Sequence, residues 1–255
     1  MSSAVLDASA LLALLQNEPG KDVVKLAYAC ASKVALGAGP FVRVRFSHHV
    51  KHEIGGRAAM WVEPVTLVGD VARLEPLELA HAEVLLEASQ YPRIWDYMPV
   101  DPSASVASMR AWIAEMLAAR EAGTQFSFAI FDFATNTYIG STSYLEILPQ
   151  HRNLEIGWTW LTPTVQRTAL NTECKYLLLR HAFEALSAIR VQLKTDRRNE
   201  ISQRAIERLG AIREGILRKQ RIVRDGYQRD SVMYSITDDE WPAVKAGLEA
   251  KLRRA

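Results

Sequence analysis

Short apolar runs and strict alternation fill the middle of the chain, with helical spacing on either side. Val65–Val68 and Val71–Leu74 flank the turn pair Gly69-Asp70 and predict two short strands. Pro76–Ser89 reads as a helix. Asp101-Pro102-Ser103 reads as the start of another, with proline early in its first turn. Val106, Met109, Ile113 and Met116 then mark one apolar face, and Gly123 ends it. Phe126–Phe133, Tyr138–Ile147 and Leu154–Leu161 predict three strands. Their links, Ala134–Thr137 and Leu148–Asn153, are hairpin-sized, so the strands form an antiparallel meander. The period then returns to helical over Thr172–Leu186, where Tyr176, Leu179, Phe183 and Leu186 share a face. A strand at Ile189–Lys194 and a helix at Asn199–Leu209, closed by Gly210, follow. Ile212–Val223 and Gln228–Ile236 flank Asp225-Gly226, a strong hairpin signal, and Asp239–Leu252 is a terminal helix.

The first 59 residues do not share this order. Ala4–Leu15 is apolar, Asn17-Glu-Pro-Gly20 breaks it, and Gly55-Gly56 offers a boundary. The pattern therefore divides the chain into an extension, 1–59, and one domain, 60–255. At 255 residues with 49% hydrophobic and 24% charged positions, the chain can bury a full core, and disorder is excluded as its main state. No run approaches the ~18 apolar residues of a membrane helix. Ala8–Leu15 follows Asp7 without a basic flank or a small-residue cleavage site, a poor secretory signal. Only Cys30 and Cys174 occur, which excludes a disulfide scaffold and points to a reducing compartment, the cytoplasm.

Net charge is +2, but Arg190–Arg229 holds 12 basic against 5 acidic residues. Such a stretch suits an anionic partner, either a phosphate-bearing small molecule or a nucleic acid; a solvated face of mixed charge is the plainer alternative. A second anion-binding signal lies after Leu161, where a loop of small and polar residues leads into a helix starting at Asn171 or Thr172. Helix N-termini present unpaired N–H groups and the positive end of the dipole. Arg167 adds a charge there, although a plain capped helix would look the same.

Four stretches carry a family resemblance. In order they are Leu154-Glu-Ile-Gly-Trp158; Gln166-Arg-Thr-Ala-Leu-Asn-Thr172; Asn199-x-x-Ser202 with Leu209-Gly210-Ala211; and Arg229-Asp230 with Tyr234-Ser-Ile236 and Trp241. Together they resemble the GCN5-related N-acetyltransferase (GNAT) superfamily over residues 61–242, especially its ribosomal-protein-alanine-acetyltransferase-like branch. The resemblance implies an α/β fold: a mixed, mostly antiparallel, V-splayed sheet with helices on both faces, here preceded by the short N-terminal extension. It implies acetyl-CoA as co-substrate, lying between the Leu154 and Ile189 strands. Trp158, Thr159 and Trp160 would line its acyl end. Gln166, Arg167, Thr168, Ala169, Leu170, Asn171 and Thr172 would hold its pyrophosphate, and Asn199 would approach the pantetheine arm. The family's loop has two glycines where this chain has Ala169 and Asn171. Glycine takes positive φ cheaply, so binding is expected to survive in weakened form.

The resemblance further implies direct transfer of acetyl to a primary amine, of a small molecule or a protein N-terminus, with no membrane partner and with a homodimer left open. Amine acylation needs a proton acceptor, donors for the developing oxyanion and stabilisation of the leaving thiolate. Glu155 is the candidate base, against a structural role paired with Arg152. Backbone N–H groups at Thr159 or Trp160 are the candidate oxyanion donors. Ser202 is the candidate acid, because the position four residues later, a tyrosine in many relatives, is Ile206. Trp95, Tyr97, Trp158 and Trp160 are candidates for an acceptor pocket or for core. Cys174, near a helix N-terminus, would have a depressed thiol pKa, a packing role being the alternative. His48 and His52 at helical spacing form a weak metal signal. Ala4-Val-Leu-Asp7 through Glu18-Pro-Gly20 is similar to the opening of PIN-domain nucleases, whose first Mg²⁺ carboxylate would be Asp7. About 60 residues fall well short of the size of such a domain, so the extension is expected to lack nuclease chemistry. A nucleic-acid binder and a Mg²⁺ nuclease remain the rival readings.

Overall fold

Residues 60–166 and 168–254 are described by the structure, a computed structural model. Asp7, Cys30, His48, His49, His52 and Arg167 lie outside the described residues.

Among the described residues eight strands form one sheet: β1 (Leu67–Val68), β2 (Ala72–Pro76), β3 (Phe126–Asp132), β4 (Thr137–Leu148), β5 (Asn153–Leu161), β6 (Arg190–Asp196), β7 (Ile212–Ile222) and β8 (Gln228–Thr237). Their order across the sheet is β1-β2-β3-β4-β5-β6-β8-β7. The β5–β6 pair is parallel and every other pair is antiparallel. Between the strands lie α1 (Ala82–Ala88), α2 (Val106–Glu121), α3 (Ala169–Arg180) and α4 (Glu200–Leu209), and α5 (Trp241–Leu252) follows the last of them.

The sheet is covered on both faces because its strands alternate between two cores. Phe128 and Ile130 join a large cluster with Leu177, Leu178, Ile206 and Leu248 from α3, α4 and α5. Ala129, between them, points the other way, into a cluster with Leu85 of α1 and Met109, Trp112, Ile113 and Met116 of α2. The spacing read from α2 therefore names its buried face correctly.

The expected strands appear at nearly the expected limits, whereas helix starts move. The helix expected from Pro76 begins as a 3-10 turn at Leu79, because Pro76 completes β2 opposite Phe128. The helix expected at Asp101 begins at Val106, where Ser105 accepts Ser108 N–H. Asp101 instead closes a local turn, accepting from Ser103 N at 3.0 Å and Ser103 Oγ at 2.6 Å. The helix expected at Asn171 or Thr172 begins at Ala169. Its far end widens into a π turn, His181–Ala185. Among the described residues no helix is long and apolar enough to cross a membrane.

Candidate active site

β5 and β6 run together for three residues and then part. Asn153, Leu154 and Glu155 pair with Arg190, Val191 and Gln192, and no later pair forms although β5 continues to Leu161 and β6 to Asp196. Each strand stays paired on its other side, β5 with β4 and β6 with β8. A cleft therefore opens from Glu155 onward, edged by unpaired backbone.

A bulge accompanies the parting. Between Ser143↔Gly157 and Ser141↔Trp160, β5 spends one more residue than β4, and Trp158 takes φ 49°. The left-handed region is costly for a bulky L-residue and persists where the surroundings fix it. Such a bulge re-aims the peptide groups of Trp158–Trp160, the segment expected to face an acyl group.

Glu155 stands at the vertex with 2% exposure. Its partner is Lys194 of β6, at 2.8 Å, and Gln192 Nε2 lies 3.3 Å from the same carboxylate oxygen. Arg152, the expected partner, instead takes a left-handed conformation ahead of β5. Lys194 also holds Glu146 of β4 at 2.7 Å, so one ammonium bridges two carboxylates. Burial raises the Glu155 pKa and Lys194 opposes the rise. Gly157 makes room for this group: a Cβ there would come within 2.9 Å of Glu155 Oε1 and 2.8 Å of Leu145 Cδ1.

At the far end of β5, Thr168 caps α3. Its hydroxyl accepts Leu170 N–H at 3.3 Å and donates to Val165 O at 2.7 Å. Helix geometry leaves the Ala169 and Asn171 amides without an intrahelical acceptor. Gln166 is exposed; Ala169, Asn171 and Thr172 are half-buried; Leu170 belongs to the core. Neither Ala169 nor Asn171 has positive φ. A right-handed first turn does not require the missing glycines, so their replacement carries no conformational cost.

Asn199 caps α4, accepting Ser202 N–H on its side-chain oxygen at 3.0 Å. Ser202 is half-buried, and Ile206 fills the core. The four aromatic candidates separate. Trp95 and Trp160 are buried and packed at 5.3 Å between ring centroids, so they are core. Trp158 is half-buried and Tyr97 is exposed. Arg198 bridges Tyr97 and Tyr227, its guanidinium 5.7 Å and 3.5 Å from their ring centroids. Arg224, in the turn between β7 and β8, donates to Trp95 O. The hairpin thus leans on the segment between α1 and α2.

Much of the basic stretch is neutralised locally. Arg190 pairs with Glu214, Arg197 with Asp230, Arg198 with Asp196, Arg204 with Glu200 and Arg224 with Asp101, besides Lys194 with its two glutamates. A face of mixed charge accounts for these cations.

Two neighbours on α3 depart from their usual chemistry. Cys174 is buried, and desolvation pushes its thiol up to about 12, the opposite of the depression expected from the helix dipole. It is a packing residue. Lys175 is also interior, and burial pulls its ammonium down to about 8. Between that value and the ordinary 10.5, the unfolded chain binds the Lys175 proton more than the folded chain does, so this group makes stability rise with pH. Below pH 8 its full cost is present. Replacing Lys175 by Met is therefore expected to stabilise the fold below pH 8, with the advantage shrinking as pH climbs to 10.5. Urea unfolding of both proteins across that range measures it; a constant difference would contradict the buried charge. Cys174 acts oppositely between pH 9 and 12 and is coupled to Lys175, so the trend is read below pH 9.

Glu173 carried no signal in the sequence, since a glutamate in the first turns of a helix reads as solvated. It is buried and accepts the backbone N–H groups of Asp70, Val71 and Ala72 at 2.8, 2.9 and 2.8 Å. It fastens the start of α3 to the turn between β1 and β2.

Comparison with known proteins agrees with this geometry. Residues 72–212 match the family model described as an acetyltransferase (GNAT) domain. A solved structure titled a "putative acetyltransferase", from T. thermophilus, is 43% identical, covers 76% of this chain and 100% of its own, and superposes with a TM-score of 0.69. "Probable N-acetyltransferase YjcK" of Bacillus subtilis is 24% identical over 178 residues, 68% of this chain and 98% of its own. Mycobacterium smegmatis RimJ, solved in complex with CoA-disulfide, shares the fold at 20% identity and TM-score 0.65, over 74% of this chain and 95% of its own. The family model spans more than half of the chain and the T. thermophilus structure is 43% identical to it, so the chain belongs to the GNAT acetyltransferases.

Proposed function

We propose that residues 60–255 transfer an acetyl group from acetyl-CoA directly to a primary amine, on a small molecule or a protein N-terminus. The single observation that carries this is the parting of β5 from β6 after Glu155, with the first turn of α3 beyond the end of β5. The residues present fit the co-substrate. An elongated amide-bearing arm can pair with the open β5 edge, and the amides of Ala169 and Asn171, with Gln166, Thr168 and Thr172 around them, suit a pyrophosphate. Arg167 is assigned to the same anion on sequence grounds. The CoA ligand of the RimJ structure supports the donor. The resemblance to the ribosomal-protein-alanine branch favours a protein N-terminus among acceptors.

Acetyl-CoA supplies an activated acyl carbon with a thiolate leaving group. Glu155, through water, takes the proton that the attacking amine releases as the N–C bond forms. The backbone N–H of Thr159 or Trp160 donates to the acyl oxygen as negative charge develops there; Thr159 is the better placed, because Trp160 lies opposite Ser141 of β4. The C–S electron pair leaves with sulfur, and Ser202 is the group assigned to protonate it. Asn199 orients the arm from the α4 cap. Trp158 and Tyr97 flank the acceptor side; Trp95 and Trp160 support it from the core.

Binding is testable without an acceptor. At 100 times its dissociation constant, acetyl-CoA adds about 2.7 kcal/mol, which for a domain of this size raises Tm by roughly 5–10 °C. Thermal unfolding with millimolar acetyl-CoA reads this shift, and its absence would count against the reading. Thiol release over a panel of primary amines, peptides with free N-termini included, then identifies the acceptor class.

A further inference from the structure

Among the described residues, Lys175 is a chemically active group beside the cleft that has no assigned task. Its side chain is 7% exposed. Nζ lies 2.5 Å from Thr159 Oγ1 and 3.3 Å from Thr142 Oγ1, and those hydroxyls are 2.7 Å apart. Among the described residues, the only titratable group whose charge acts on it is the Cys174 thiol, which stays protonated. An ammonium buried without a carboxylate is expensive, and a methionine would fill the same space more favourably. Packing therefore does not explain it. Its position is telling: through Thr159 it touches the bulge that lies just beyond the point where β5 leaves β6 and that holds the amide assigned to the acyl oxygen.

We infer that Lys175 is a positioning residue for acyl transfer, fixing the bulge through the Thr159 hydroxyl and setting a positive charge behind the peptide groups that face the reacting thioester. In a site of low dielectric, such a charge favours every species that gains negative charge at the acyl end: the oxygen during attack and the sulfur on departure. The inference rests on acetyl-CoA being the donor. It commits to the charge and not merely to the hydrogen bond.

The test uses coenzyme A itself, so no acceptor is needed. Two variants are compared with the wild type: Lys175→Met, which removes charge and bond, and Lys175→Gln, which can keep a bond to Thr159. Calorimetry measures CoA affinity, and ultraviolet thiolate absorbance measures the ionised fraction of bound CoA. The wild type is expected to hold bound CoA largely as thiolate at neutral pH. Both variants are expected to bind CoA within about threefold of wild type, to lower the thiolate-to-thiol ratio about tenfold, and to unfold at the same or higher temperature. With an amine found by the panel, kcat falls at least tenfold in both while KM for acetyl-CoA holds. If all three proteins bind CoA and show the same thiolate fraction, Lys175 only packs and this inference fails alone. If Lys175→Gln behaves as wild type, the charge is not what matters and the inference fails. If none of the three binds CoA, the acetyl-CoA reading falls and takes this one with it.

Discussion

Replacing Glu155 by glutamine is expected to lower turnover by about 10²-fold or more while leaving acetyl-CoA affinity within about twofold. General base catalysis contributes on the order of 10²–10⁴. Glu155 meets the conditions for it: it sits at the vertex of the cleft, and burial holds its pKa above the ordinary glutamate value. A base nearer neutrality is the better acceptor for an ammonium proton. Glutamine keeps the size that Gly157 accommodates, and Lys194 keeps Glu146 as a partner, so the fold is not left with an unpaired buried cation. The sign of the pH dependence follows. As the proposed base, Glu155 acts ionised, so activity is expected to decline as pH falls through a pKa raised above 4.5, and this acidic limb is expected to disappear in the variant. Steady-state kinetics against pH, with calorimetric titration of acetyl-CoA, measures both. Unchanged turnover would remove Glu155 from the mechanism and leave the Lys194 pair as a structural brace.

The largest stability loss is expected at Glu173. Truncation to alanine leaves the N–H groups of Asp70, Val71 and Ala72 without their acceptor. The Ala72 N–H is buried and those of Asp70 and Val71 are partly so; a buried unpaired polar group costs about 1–3 kcal/mol and a partly wet one less, so the total is on the order of 3 kcal/mol. In a domain of this size that lowers Tm by roughly 10 °C. Gly69 tests the cause. A Cβ at that position would run into the Glu173 carboxylate, so Gly69→Ala is destabilising in the wild type. Once Glu173 is alanine the obstruction is gone, and Gly69→Ala costs little further. The two substitutions are therefore strongly non-additive, and a double-mutant cycle by denaturant unfolding measures the coupling. Additive losses would show that the carboxylate and the turn act independently.

The strands were legible because their signal is local. Phe126–Asp132 and Asn153–Leu161 carry dense apolar runs between turn residues, and Gly210 and Gly226 mark ends with their positive φ. Helix starts were less legible because several residues compete to cap. Thr168 and Thr172 are both good caps four residues apart, and the chain uses the first; Asp101 and Ser105 form a similar pair, and there it uses the second. The parting of β5 and β6 followed only from the family resemblance. The pairing of Glu155 with Lys194 joins residues 39 apart through a parallel register that spacing cannot supply. Lys175 and Glu173 were hidden for a different reason: charged residues on a helix read as solvated, and only packing reveals that both point inward. Trp95 and Trp160 could equally have lined a pocket, until their mutual contact made them core.

Among the described residues, β7 closes one side of the sheet with eleven residues and a single hydrogen-bonded neighbour. A long bare edge invites another chain to add a strand, the first step of aggregation. Here that route is obstructed from within. The register slips at Gly215 and again between Leu217 and Arg221, where Lys219 turns left-handed and gives its N–H to Asp230 instead of to a strand. Arg218, Lys219 and Arg221 lie in or beside that irregular stretch. The cationic character of the C-terminal third, partly spent on internal ion pairs, thus also sets like charges along this border, which oppose the approach of a second copy.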